Sequence, residues 1–194
     1  MTRVASTVAP PDAVMPERHL KAPAAKSQIP SHFGHCFGCG ELHITGLHFT
    51  AIAGENLDLT GNFTVTENHQ GAPGLAHGGL LSLAFDEALG KLMWLIRTPA
   101  VTGRLETDFL LPVPMGRTLY IDARITGQAG RKIYTQAEGR LDSATGEIAV
   151  KASALFISVP MEHFIKNLTE QYKDHLVKHP ELMAFVDPDF DINP

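Results

Sequence analysis

Cysteine is scarce. Two residues, Cys36 and Cys39, in a chain of 194 are too few to staple a secreted domain of this size. The expected compartment is therefore the reducing cytoplasm. Positive charge is sparse as well: 16 Lys and Arg stand against 21 Asp and Glu, for a formal net charge of -5. With no Lys/Arg run, no nucleic-acid partner is expected. Long apolar runs are missing too. The richest candidate, 77–96, is interrupted by Asp86, Glu87 and Lys91. It falls short of the ~18 uninterrupted apolar residues that cross a bilayer, so no membrane span is expected. Nor do residues 1–30 hold the apolar centre of a secretory signal. The chain as a whole is 44% hydrophobic and 19% charged, the profile of one globular domain with a real core.

Residues 1–30 are rich in Ala, Pro, Ser and Thr without periodicity, and predict a flexible N-terminal arm. The domain proper is expected over 31–160. Residues 161–194 form a C-terminal extension in which Ile165, Leu168, Tyr172 and Leu176, at helical spacing, predict a helix over 161–178. Inside the domain, strand-like runs at 47–52 and 57–65 precede a loop, 66–76, punctuated by Gly71, Pro73 and Gly74. A long apolar helix is predicted over 77–97. Four further strand-like runs follow at 101–111, 117–127, 131–141 and 147–159. The order predicts an α+β fold: an antiparallel sheet of about six strands wrapped around one long central helix.

That helix carries the chemistry. It opens on His77-Gly78-Gly79, where first-turn amides lack intrahelical acceptors and the helix dipole adds positive potential. Such a tip suits a developing oxyanion. Asp86 sits in its middle among apolar residues, and a carboxylate there is costly unless it is used or partnered, for instance by Ser82. Gly78 and Asp86 are eight residues apart, about 12 Å along one axis. Reacting atoms must approach to about 3 Å. One helix cannot bring both groups to one carbonyl, but two antiparallel helices related by a two-fold axis can. A homodimer with shared sites is therefore expected if both groups act.

Several motifs recur here in a familiar order. They are Cys36-Phe37-Gly38-Cys39-Gly40 with Thr45-Gly46-Leu47; Pro73-Gly74-Leu75-Ala76-His77-Gly78-Gly79 with Asp86 seven residues on; Asp108-Phe109-Leu110-Leu111-Pro112-Val113-Pro114; and Gly130-Arg131-Lys132. The set, spread over about 36–158, resembles the hotdog-fold acyl-CoA thioesterases, in particular the PaaI-type branch with its mitochondrial relatives. Where many relatives have Asn-Pro before the Thr/Ile-Gly-Leu motif, this chain has His43-Ile44.

The resemblance implies hydrolysis of an acyl-CoA, or an acyl-carrier thioester, to carboxylate and thiol. Asp86 would be the base on water or the nucleophile, and Gly78 and Gly79 the oxyanion donors. His77 would donate to the carbonyl or order the Gly-Gly turn. Thr102, sixteen residues after Asp86, falls where relatives carry a catalytic Thr. Asn68 and His69, with Gln70 beside them, would approach the thioester. Arg131 and Lys132, or else Arg104 and Arg117, would meet the coenzyme A phosphates. The implied assembly is a homodimer, with a dimer of dimers as the larger alternative. No cofactor is implied, since coenzyme A belongs to the substrate. The alternative function is a non-catalytic acyl-CoA-binding protein acting as sensor or chaperone. A hydratase ranks last, because no Asp-x4-His pattern stands near the helix. No metal is expected either: Cys36-x-x-Cys39, with His32, His35 and His43 nearby, lacks the second pair that a zinc site commonly has, and reads as a packed turn.

Overall fold

The computed structural model describes residues 5–160, 162–166, 168–170 and 173–174. Strands β1 (Gln28–Ile29), β2 (Thr50–Ala53) and β3 (Asp58–Thr64) come first. A 3-10 turn (Glu67–His69) and a small ribbon of β4 (Gln70–Ala72) and β5 (Leu75–Ala76) lead into helix α1 (Gly78–Lys91). A short second helix, α2 (Met93–Ile96), follows. The chain continues as β6 (Ala100–Phe109), β7 (Thr118–Ala129), β8 (Lys132–Leu141), β9 (Ile148–Ser158) and α3 (Glu162–Lys166).

The main sheet has the order β1-β2-β3-β7-β8-β9-β6 and every pairing is antiparallel. The expected sheet around a helix is present, with seven strands rather than about six. Alternation builds its inner face: Leu119, Ile121, Ala123 and Ile125 of β7 are all buried. Leu81, Ala84, Phe85, Ala88 and Leu89 line the buried side of α1 at helical spacing. The helix predicted over 77–97 breaks at Leu92, whose N–H bonds back to Leu89 O (3.3 Å) in a tighter turn. It stops at Arg97, which adopts the left-handed conformation common at helix ends (φ 51°).

The segment predicted as a flexible arm lies along the domain. Val14 and Gln128 exchange backbone hydrogen bonds of 3.0 and 2.7 Å. Thr7 donates to Glu106 (2.7 Å) and accepts from Ser153 (2.9 Å), and Arg104 donates to Ala5 O (2.9 Å). Gln28 and Ile29 then join the sheet as β1. Such bonding goes to the backbone and to single polar groups, so it leaves no periodic signature in the sequence. Of the helix predicted over 161–178, α3 is described; residues 161, 167, 171–172 and 175–178 lie outside the described residues. No described helix is long and apolar enough to cross a membrane.

Candidate active site

The loop before α1 is held by His69. The Thr66 N–H donates to its Nδ1 (3.0 Å), so that nitrogen carries a lone pair and the ring proton sits on Nε2, which donates to Gly46 O (3.2 Å). The His69 carbonyl accepts the N–H of His77 (2.8 Å). His69 is 2% exposed and lies edge-on to Phe63. Expected at the substrate, it is instead an internal post tying the helix start to the Gly46 turn. The overlooked signal is the spacing Thr66-x-x-His69, a capping box with His in the usual Glu/Gln place. Replacing His69 by Ala leaves Gly46 O and the Thr66 N–H unpaired around a cavity. The expected loss of stability is about 2–4 kcal/mol, measured by urea unfolding. A loss below ~1 kcal/mol would remove His69 from this role.

At the tip, His77 occupies the N-cap with extended backbone (φ -70°, ψ 129°). Its Nδ1 accepts the Gly79 N–H at 2.9 Å. The Gly79 amide, expected as an oxyanion donor, is therefore already engaged. Gly78 N–H has no hydrogen-bond acceptor among the described residues and is the available donor. Between the two readings of His77, this geometry favours ordering the Gly-Gly turn. Gly71 permits it, since a Cβ there would lie 2.8 Å from His77 Cα. Phe109, 52% exposed, lies over Gly78.

Just past the middle of α1, Asp86 is half-buried. Thr102 reaches it from β6, donating its hydroxyl to Asp86 Oδ1 at 2.7 Å. The contact depends on a β-bulge, because the pairing of β6 with β9 slips between Thr102 and Arg104. Bulges re-aim a side chain at the cost of one ladder step. The Thr102 oxygen keeps its lone pairs for a further donor such as water. The predicted Asp–Thr pair is thus brought together. The most deeply buried carboxylate of the helix, however, is the next residue, Glu87, whose side chain is 9% exposed.

The outer residues differ in availability. Asn68 is exposed on the 3-10 turn, and Gln70 closes the loop by accepting from Gly74 N–H (2.8 Å). Arg104 is held by Glu106 and the Ala5 carbonyl, and Arg117 by Asp142. Arg131 donates Nε to Ser158 O (2.9 Å). Lys132 is exposed and makes no ion pair among the described residues. Register aligns Lys132 with Ile157 and Ile157 with Val101. The lysine therefore stands two strands, about 10 Å, from the residue preceding Thr102.

Cys36 and Cys39, expected as a packed turn, meet His32 and Glu87: one ligand atom from each lies within 4.8 Å of the others. His35 and His43 do not join them; they pack against Phe33 and Phe37.

Comparison with known proteins agrees with this architecture. Residues 73–146 match the family model described as the thioesterase superfamily. Acyl-coenzyme A thioesterase THEM4 of Xenopus laevis is 29% identical over 90 residues, 46% of this chain and 40% of that protein. The chain spans about two fifths of the length of the curated relatives it matches. Among solved structures, a thioesterase superfamily protein is 24% identical with a TM-score of 0.58, covering 71% of this chain and 73% of its own. The Escherichia coli PaaI protein from the phenylacetic acid degradation operon is 20% identical with a TM-score of 0.54, covering 58% and 80%.

Proposed function

We propose that this chain, whose central domain belongs to the hotdog-fold thioesterase superfamily, hydrolyses acyl-CoA thioesters to carboxylate and free thiol. The observation that carries this reading is the Thr102 hydroxyl bonded at 2.7 Å to Asp86 on a helix that begins with a Gly78 amide bonded to no described residue. A thioester needs a base or nucleophile on one side and donors for the developing oxyanion on the other. Water held by Thr102 and Asp86 gives its proton to Asp86 as its oxygen bonds to the carbonyl carbon. Charge moves onto the carbonyl oxygen, at the Gly78 N–H. The oxyanion then collapses, the C–S bond breaks, and the departing thiolate takes the proton from Asp86. In the nucleophilic variant, the Asp86 carboxylate attacks first and expels the thiolate as the C–S bond breaks; water then cleaves the resulting anhydride, returning the Asp86 carboxylate and releasing the acid, whose proton neutralises the thiolate. Only protein groups and water are required, and coenzyme A enters with the substrate.

The Gly78-to-Asp86 span of about 12 Å along α1 makes the working unit a homodimer, each chain lending its helix tip to the other's Asp86. β6 supports this: it is a sheet edge among the described strands and carries Thr102 and the exposed Phe109. Lys132 is the best placed cation for a coenzyme A phosphate. A Streptococcus pneumoniae thioesterase protein of like fold (16% identical, TM-score 0.53) has been solved with coenzyme A. It was also solved with an Asp, and separately a Thr sixteen positions later, replaced by Ala. Asp86 and Thr102 have the same separation. We place the reaction in the reducing cytoplasm, as a step of acyl-group metabolism, where Cys36 and Cys39 are not oxidised to each other.

The test is thiol release over acyl-CoAs of increasing chain length. Catalytic turnover is expected with at least one chain length. Tight binding of acyl-CoA with no release from any of them would replace this reading by that of a sensor or chaperone.

A further inference from the structure

The loop spanning 31–40 crosses α1 one residue beyond Asp86, and there four potential ligands converge. Cys39 Sγ lies 3.4 Å from His32 Nδ1, Cys36 Sγ 3.5 Å from Glu87 Oε2, and His32 Nδ1 3.8 Å from Glu87 Oε1. Zinc bonds of about 2.0–2.3 Å at the tetrahedral angle set ligand atoms about 3.3–3.8 Å apart. The single ligand atoms that the four residues offer lie within 4.8 Å of one another, close enough for one ion to draw them onto such a tetrahedron. We propose that His32, Cys36, Cys39 and Glu87 hold one zinc ion in a closed structural site. This inference stands apart from the hydrolase reading.

Three further observations point to a ligand at the centre. First, Glu87 Oε1 is buried and accepts no hydrogen bond from any described residue. Its nearest cation, Lys91 Nζ, is 3.5 Å away and already donates to Pro30 O (2.9 Å). Burying a carboxylate oxygen without a partner is expensive. Second, the charges balance. Zinc with two thiolates and one carboxylate carries one net negative charge, and the Lys91 side chain, 2% exposed, supplies the opposite one.

Third, the surroundings orient the sulfurs. Ser31 Oγ stands 3.3 Å from Cys39 Sγ. Gly38 leaves the space; a Cβ there would collide with the Glu87 carboxylate. Two thiolates and an imidazole select zinc over magnesium or calcium. The second ligand pair missing from the sequence motif is therefore supplied by His32 and by a helix 51 residues after Cys36. An ion here would fasten the loop to the helical turn next to Asp86.

The whole chain, purified without chelator, is expected to contain one zinc per molecule by elemental mass spectrometry. After stripping and reduction it is expected to take up cobalt(II) with intense tetrahedral d–d bands and thiolate charge transfer. Loss of outer-shell partners alone weakens metal sites about 10–100-fold. Glu87→Gln and His32→Ala, which keep both thiols, are accordingly expected to weaken cobalt(II) binding by more than ~10-fold and to alter the d–d bands. Cys36→Ser should remove part of the charge-transfer intensity. If that variant does not fold, the spectrum of the unaltered chain decides. Three results would overturn the proposal: no zinc as isolated together with no cobalt(II) uptake by the reduced protein; a Cys36–Cys39 disulfide in the freshly isolated protein; or unchanged cobalt(II) affinity and spectrum in both Glu87→Gln and His32→Ala.

Discussion

Asp86→Asn is expected to lower turnover of the best acyl-CoA substrate by at least ~100-fold with the melting temperature within a degree or two of the parent. The expectation rests on position. Asp86 is half-buried at the helix surface, and its one described side-chain hydrogen bond comes from the Thr102 hydroxyl (2.7 Å). An amide keeps the shape and can accept that bond, so folding is little disturbed. It cannot take a proton from water or attack a carbonyl at a useful rate. Thr102→Val removes a hydrogen bond to a charged group, worth about 1.5–3 kcal/mol. Its expected loss is about 10–100-fold, and Thr102→Ser restores most of it. Turnover of Asp86→Asn within a few-fold of the parent would take this carboxylate out of the reaction. A collapse of the melting temperature would make it a structural group.

Much of this was legible in the sequence because it depends on periodicity. Residues 119–125 alternate, and the apolar positions of α1 recur at three and four, so sheet, helix and their mutual burial follow from the chain alone. Asp86 and Thr102 were legible as an ordered pair, although the bulge that aims Thr102 was not. What escaped depends on single contacts between distant segments. β1 is two residues long and has no pattern to show. His69 looked like a polar loop residue facing substrate. Its burial comes from two hydrogen bonds, one to Thr66 three residues away and one to Gly46, 23 residues away. Asp86 and Glu87 are adjacent and chemically alike, so sequence alone gave no means to tell which is half-buried and which meets Cys36 across 51 residues. The Gly79 amide was read as bare because capping by a histidine lacks the usual Ser, Thr, Asp or Asn signal.

Removing the Gly78 amide proton is expected to cost about 10²–10³-fold in turnover, the usual effect of deleting one oxyanion donor. Gly78→Pro makes this deletion with little other change. Gly78 is the first residue of α1, where proline is favoured. His77 already has the extended backbone that a following proline requires (φ -70°, ψ 129°). Gly78→Ala is the control. It keeps the N–H, and its Cβ meets only the Phe109 ring at 3.5 Å, an ordinary contact. Equal activity in the two variants would show that the Gly78 amide takes no part. The same pair of defects tests whether sites are shared. In a dimer of one Asp86→Asn chain and one Gly78→Pro chain, isolated by two different tags, one site inherits both defects. The other joins an intact tip to an intact carboxylate. That heterodimer is expected to recover about half of the parent turnover from two nearly inactive chains. If each chain instead completed its own site, both sites would be broken and the mixed dimer would stay as inactive as its parents.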